Sequence, residues 1–215
     1  MTAPEVVVVD LGVGNLRSVA RALERAGARV AVSAEPDVLR RAARLVVPGQ
    51  GAFRDCAAAL DGAMGAVLRE RIAAGTPYLG ICLGMQLLFD GSEEAPGAAG
   101  LGVFAGEVVR FAADLADPET RARLKVPHVG WNEVRGAHPL LPERAWFYFV
   151  HSYYCVPREP SLVVGTAGYG DDFCAAVARD NVFACQFHPE KSQDAGAALL
   201  ARFLGGSRWE AGRWS

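Results

Sequence analysis

No stretch of this 215-residue chain is apolar for the ~20 residues that a membrane-spanning helix requires, so no membrane role is expected. Positive charge is not in excess either. Against 24 Asp and Glu stand 22 Lys and Arg, a formal net charge of −2, without the basic footprint of a nucleic-acid binder. The five cysteines (56, 82, 155, 174 and 185) contain no C-x-x-C pair and no zinc-type spacing to a histidine, so no metal site is expected. Their odd number speaks against a full disulfide framework. Residues 1–9 lack the basic start and long apolar core of a signal peptide, and a reducing cytoplasm is the expected location. There is no phosphate-loop lysine motif. Gly12-x-Gly14-x-x-Arg17 approaches a dinucleotide fingerprint, but Arg17 stands where the third glycine permits close helix–strand packing. No cofactor is expected.

What is present is the pattern of an ordinary globular chain, 51% hydrophobic and 21% charged. The first half alternates between strand and helix. Strands are expected at 5–9, 28–32 and 44–47, with helices at 16–26 and 37–42 and a long Ala-rich helix over 52–73. A further strand over 77–81 leads into a helix reaching about Phe89. Such alternation implies an α/β fold, a mostly parallel sheet with helices on both faces. The second half is richer in strand, at 103–111, 146–151, 162–167, 173–178 and 182–187, and a closing helix runs over 194–204. Residues 1–206 read as one domain. Residues 207–215 read as an appended tail, with Trp209 and Trp214 able to dock on the surface or remain loose.

The most informative segment is Gly80-Ile81-Cys82-Leu83-Gly84. A cysteine framed by glycines at a strand-to-helix junction is the pattern of a nucleophile elbow. The following helix is expected to turn free N–H groups and partial positive charge toward the sulfur, favouring thiolate. A thiol needs a base, and His188 stands in Phe187-His188-Pro189-Glu190 just after an apolar strand. In extended chain, residues two apart face the same way, so Glu190 can orient the imidazole. Cys82, His188 and Glu190 then fill the nucleophile, base and orienter roles of a catalytic triad. The backbone N–H of Leu83 is one natural oxyanion donor, and the turn Pro48-Gly49-Gln50-Gly51 can bring a second to the same sheet edge. His138 reads as exposed, and His128 and His151 read as core or cleft histidines.

These segments resemble the class I (triad) glutamine amidotransferases and, within them, the glutaminase subunits of imidazole glycerol phosphate synthases. The class resemblance rests on Gly80 to Gln86 and on Phe187-His188-Pro189-Glu190. The narrower one rests on Gly14-Asn15-Leu16, Pro48-Gly49-x-Gly51-Ala52-Phe53, Val126 to Asn132 and Tyr148 to Tyr154. The resemblance implies a three-layer fold of that class. It implies that Cys82 attacks the side-chain amide of L-glutamine and that His188, held by Glu190, moves the protons. Gln86 and Glu94 would contact the glutamine, with Ser152 and Tyr153 near its carboxylate. Ammonia would pass to a (β/α)8-barrel cyclase that also activates the glutaminase. Asn15, Trp131, Asn132 and Lys191 would lie near that partner. One departure stands out: position 50 is Gln, where that subfamily commonly carries a small apolar residue. The remaining alternatives are a Cys-elbow γ-glutamyl hydrolase or peptidase-like protein and an inactive regulatory subunit of the same fold.

Overall fold

Four consecutive valines, Val6–Val9, form β1, and every one is buried. A strand covered on both faces has no polar alternation to show. The computed structural model describes residues 6–205 in full, with the backbone alone of residues 206, 209–210 and 213–214. After β1 come α1 (Leu16–Arg25), β2 (Val30–Ser33), α2 (Pro36–Arg40), β3 (Arg44–Gly49), α3 (Phe53–Ala59), α4 (Ala63–Ala73), β4 (Tyr78–Cys82) and α5 (Leu83–Gln86). The second half supplies β5 (Gly91–Ser92), β6 (Gly106–Arg110), β7 (His128–Gly136), β8 (Arg144–His151), β9 (Tyr153–Pro157), β10 (Val163–Tyr169), β11 (Asp171–Arg179), β12 (Val182–Cys185) and α6 (Gln193–Ala201).

These strands join in one 12-stranded sheet whose main path runs β2-β1-β3-β4-β12-β11-β10-β7-β8. The pairs from β2 to β12 are parallel, and those from β12 to β8 are antiparallel. Alternate residues of the parallel strands feed two cores. Val7, Val9, Leu45 and Val47 pack with Leu39, Phe53, Val67 and Leu68 of α2, α3 and α4. Val6, Val8, Val46 and Ile81 pack with Val19 and Leu23 of α1 and Leu199 and Leu200 of α6. The result is the expected three-layer α/β arrangement.

Several elements differ from the sequence reading. The Ala-rich segment is two helices rather than one, broken where Gly62 takes φ 79°. The helix after Cys82 is only four residues long. The Leu87, Leu88 and Phe89 carbonyls are taken by N–H groups of Leu101, Val103 and Gly102, which draws the chain out of the helix. That same pairing confines β6 to Gly106–Arg110. Strands β7 and β9 were not anticipated. β7 buries His128 and exposes Val129 and Trp131, the reverse of the usual pattern, and β9 follows β8 after a single intervening residue. The tail reading of Trp209 and Trp214 concerns side chains outside the described residues.

The elbow depends on very close backbone approach. A Cβ on Gly84 would run into the Val47 carbonyl oxygen, and one on Gly80 would lie 2.5 Å from the Gly84 oxygen. Behind the site, His128 and His151 sit in an aromatic cluster. His128 stacks on Tyr169 and Phe149, with centroids 4.0 and 5.0 Å apart, and His151 lies 5.2 Å from Phe111. Their tautomers follow from the partners. The Tyr153 carbonyl can only accept, so His151 donates Nδ1–H to it at 2.9 Å. His151 Nε2 then accepts from His128 Nδ1 at 3.0 Å. His128 Nε2 is left to accept from Asn132 Nδ2 at 3.4 Å. Both rings are neutral in this chain. Burial pushes the pKa of His128 down to about 4 and that of His151 to about 3.

Gly84→Ala should lower unfolding free energy by about 3 kcal/mol or more in urea titration, because α5 must lift off β3. Gly168→Ala, whose new Cβ would meet Asp172 Oδ1 at an ordinary 3.5 Å, should cost less than about 1 kcal/mol. Below the ordinary imidazole pKa of 6.5, His128 and His151 stay neutral in the folded chain while the unfolded chain gains protons. Stability should therefore fall as pH drops from 6.5 to 5, approaching about 1.4 kcal/mol per pH unit for each such ring. His151→Gln should give a shallower slope in denaturant titrations across that range.

Candidate active site

Strand β4 ends at Cys82, and the chain turns sharply into α5. Cys82 has φ 55° and ψ −110°, a region that costs a non-glycine residue ~1–3 kcal/mol. This is the elbow expected from Gly-x-Cys-x-Gly. The four-residue α5 carries far less macrodipole than the longer helix anticipated, so most of the positive charge near the sulfur has to come from His188. In the β3–β4 register Gly49 is directly opposite Cys82, which sets the Pro48–Gly51 turn beside the sulfur. A Cβ on Gly49 would lie 2.5 Å from the Leu83 Cβ, so only glycine lets the turn come this close. Leu83, Gly84 and Met85 open the helix, and their N–H groups have no intrahelical acceptor.

His188 arrives from the neighbouring strand. Cys185 of β12 pairs with Ile81, and three residues later the His188 N–H donates to the Tyr148 carbonyl at 2.9 Å. The next residues are not extended as the sequence suggested. Pro189–Lys191 form a 3-10 turn with proline at its start, and this turn brings the Glu190 carboxylate to the Nδ1 edge of the ring. His188 Nδ1 lies 2.8 Å from Glu190 Oε1, and both side chains are only 1% exposed. Glu190 Oε1 therefore accepts a hydrogen bond from His188 Nδ1–H. Among the described residues His188 Nε2 and Glu190 Oε2 have no hydrogen-bond partner. Burial alone would lower the His188 pKa, but the Cys82 sulfur and the Glu190 carboxylate outweigh it and push it up to about 9.

A cavity of about 380 Å³ opens above the sulfur, within the range of small-molecule sites. Of the residues singled out from sequence, Gln50, Gly51, Cys82, Leu83, Gln86, Glu94, Ser152, Tyr153, His188 and Lys191 all line it. Gln86 donates to the Tyr153 carbonyl at 3.3 Å. Glu94 accepts from the Phe53 N–H at 2.9 Å, which anchors it to the start of α3. Glu190 stands behind His188. Asn15, Trp131 and Asn132 lie off the cavity. Asn15 caps α1 by accepting from the Ser18 N–H at 3.3 Å, and Asn132 donates to the Gly168 carbonyl at 2.7 Å. Trp131 is 43% exposed and meets Tyr148 edge-on. His138, expected to be exposed, packs against Phe183 at 5.1 Å, and burial lowers its pKa to about 4.

His151, read from the sequence as a core or cleft histidine, lines the cavity wall. One side chain that touches the sulfur is not singled out by the sequence reading. Gln186 is fully buried, with Nε2 3.5 Å from the Cys82 sulfur. A signal for Gln186 was available, because the two-residue strand period that links His188 to Glu190 also runs backwards from His188 to Gln186.

Comparisons with known proteins identify the family. The family described as glutamine amidotransferase class-I matches residues 7–205. The chain is 50% identical to the imidazole glycerol phosphate synthase subunit HisH of Methylococcus capsulatus, over 95% of this chain and 96% of that one. It is 49% identical to the subunit of the same name from Aromatoleum aromaticum, over 93% and 97%. Among solved structures, a glutamine amidotransferase superposes with a TM-score of 0.71 at 22% identity, covering 94% of this chain and 99% of that one. PurLQS from Thermotoga maritima superposes with a TM-score of 0.73 at 18% identity, over 94% and 98%; at these identities the likeness concerns the fold. The chain belongs to the class I glutamine amidotransferases, in the family of the imidazole glycerol phosphate synthase HisH subunits.

Proposed function

We propose that this chain hydrolyses L-glutamine to glutamate and ammonia and passes the ammonia to a (β/α)8-barrel cyclase that forms imidazole glycerol phosphate in histidine biosynthesis. The observation that carries the reading is the meeting of Cys82, His188 and Glu190 at one cavity, with the Gly49 turn alongside. Cys82 Sγ attacks the amide carbon of the substrate side chain. The carbonyl oxygen becomes an oxyanion, received by the N–H of Leu83 and by an N–H of the Gly49–Gly51 turn, and each such donor supplies ~3 kcal/mol of transition-state stabilisation. His188, its proton retained by Cys82 and Glu190, protonates the departing nitrogen. Ammonia leaves and a glutamyl thioester remains. His188 then takes a proton from water, the hydroxide attacks the thioester carbon, the C–S bond breaks and glutamate departs. Gln86 and Glu94 contact the glutamine, and Ser152 and Tyr153 face its carboxylate.

The partner reading draws on the β7–β8 hairpin. Val129, Trp131 and Trp146 are 55%, 43% and 57% exposed, and the register Val129↔Val150, Trp131↔Tyr148, Glu133↔Trp146 puts them on one face. Lys191 Nζ lies 5.9 Å over the Tyr148 ring at the cavity rim. An apolar face of this kind on a monomer marks an interaction site. Docking there brings the cyclase next to the cavity mouth and gives ammonia a route that avoids bulk water. The Gly49–Gln50 peptide is a natural gate, since the partner can favour the state in which its N–H faces the oxyanion. A reducing cytoplasm is the proposed location, since it keeps a thiol nucleophile reduced. All five cysteines are free thiols, and no helix among the described residues is long and apolar enough to cross a membrane.

In the complex, Cys82→Ser should reduce glutamine-dependent synthesis ~10³-fold or more while leaving synthesis from ammonium salts unchanged. His188→Ala should behave alike, and Glu190→Ala should lose less. Equal loss with both nitrogen sources would overturn the assignment. Cleavage of poly-γ-glutamates or peptides in place of glutamine would point to the hydrolase alternative. A substrate-loaded complex that turns over no glutamine would point to the inactive subunit.

The pH profile gives a second test. His188 loses its proton as pH rises through about 9, so glutaminase activity should decline on that alkaline limb. Glu190→Gln removes one of the charges that raise this pKa, and the limb should move toward neutral pH. An unmoved limb would show that His188 is not the titrating group.

A further inference from the structure

One buried side chain contacts the reacting sulfur and takes no part in the steps above. Gln186 lies just past β12, whose Cys185 is in register with Ile81, so it stands beside Cys82. Its own backbone is fixed, because its N–H donates to the Ala175 carbonyl at 2.8 Å. Gln186 Nε2 is 3.5 Å from Cys82 Sγ, and its Oε1 is 3.0 Å from Gln86 Nε2. A group that cannot be reversed sets the direction of these contacts. The Tyr153 carbonyl has no proton to give, so the end of Gln86 that faces it at 3.3 Å is the NH2 end. Gln186 has to meet that NH2 with its oxygen, which turns its own NH2 toward the sulfur.

An N–H aimed at sulfur has two effects. It restricts the rotation of the Cys82 side chain before attack. It also becomes a charge-assisted bond when the sulfur ionises, and so favours the nucleophilic form. Unlike His188, an amide does not titrate, so this donor neither competes for the thiol proton nor disappears with pH.

We propose that Gln186 is a positioning residue for the glutaminase reaction. Its side-chain NH2 aims the Cys82 sulfur and stabilises its ionised form, with Gln86 as the clamp that orients it. This inference rests on the glutaminase reading of the site.

The test is the pH dependence of Cys82 alkylation by iodoacetamide on the full chain, with Cys82→Ser as the background, together with glutamine hydrolysis by the complex. Gln186→Leu should raise the alkylation midpoint by about one pH unit, the scale of one lost charge-assisted hydrogen bond. Gln186→Glu matches the native side chain in shape but turns a carboxylate on the sulfur, and its midpoint should rise further. In the complex, kcat for Gln186→Leu should fall ~10-fold with KM within about twofold, as for an interaction used in the chemical step. A role in packing alone predicts the opposite order, with the isosteric Glu closest to wild type. That order, or midpoints unchanged in both variants, would overturn the proposal. Thermal melts report folding, and Gln186→Met replaces Leu in the test if the Leu variant does not fold. If the wild-type complex releases no ammonia from glutamine, the glutaminase reading fails, while the order of alkylation midpoints still reports on the contact between Gln186 and Cys82.

Discussion

Parallel hydrogen bonding sets β3, β4 and β12 in a register where Gly49 lies opposite Cys82 and Cys185 opposite Ile81. The active site is the continuation of these three strands past the sheet edge. β3 continues into the Pro48–Gly51 turn, β4 into the elbow, and β12 into Gln186 and His188. A slip of one residue on any of them would turn its side chains to the other face. The register is held because the strands are buried on both sides. Val46 and Leu79 pack toward one helical layer, while Val47 and Ala184 pack toward the other. The same apolar residues that make the core therefore set the distances in the site.

The site also contains features that cost stability. Cys82 has a positive φ, and the His188–Glu190 pair is almost wholly buried. A buried ionic pair is tolerated only when its partners are in place. Here each partner answers another: Glu190 accepts a hydrogen bond from Nδ1–H, the sulfur raises the affinity of the ring for its proton, and the ring supplies positive charge that the short α5 cannot. The strain at Cys82 persists because β4 and α5 are packed too closely to relax. Gly84 against the Val47 carbonyl leaves no room for another path. The Gln50 turn beside it is less crowded, since Gly51 takes φ 100° and a Cβ built there would meet nothing within 4 Å.

Much of this was legible in the sequence because the relevant signals are local. The valine run of β1, the glycine frame of Cys82 and the His-Pro-Glu triplet each state their structure within a few residues. The misreadings come where distant chain decides. The helix after Cys82 looks long by its apolar spacing, yet Leu101, Gly102 and Val103 take the carbonyls of Leu87 to Phe89 and end it early. Ala52 to Ala73 has helical propensity throughout, and only the Gly62 turn with its positive φ separates two helices. The His-x-Glu spacing predicts the pairing of His188 with Glu190, but not its geometry. Proline started a 3-10 turn in place of extended chain, and that turn achieves the same approach by a different path. Gln186 is hidden in the sequence for another reason. A glutamine at the end of an apolar strand has no distinctive chemistry until its neighbour is known to be a nucleophile.

Strand β7 is the clearest case in which a failed expectation carries meaning. Its buried positions include His128, and its open positions include Val129 and Trp131. Read by the usual rule, hydrophobic in and polar out, the segment does not look like a strand against this core. The inversion has a structural side and a surface side. Inward, His128 is satisfied by His151 and Asn132, so polar burial is compensated by hydrogen bonds. Outward, exposed tryptophan beside Tyr148 and Val150 leaves apolar area in water, which favours a covered state. A chain that folds with this face uncovered retains a driving force for association next to its catalytic cavity. The hydrophobic pattern of β7 makes sense for a subunit and not for an enzyme that works alone.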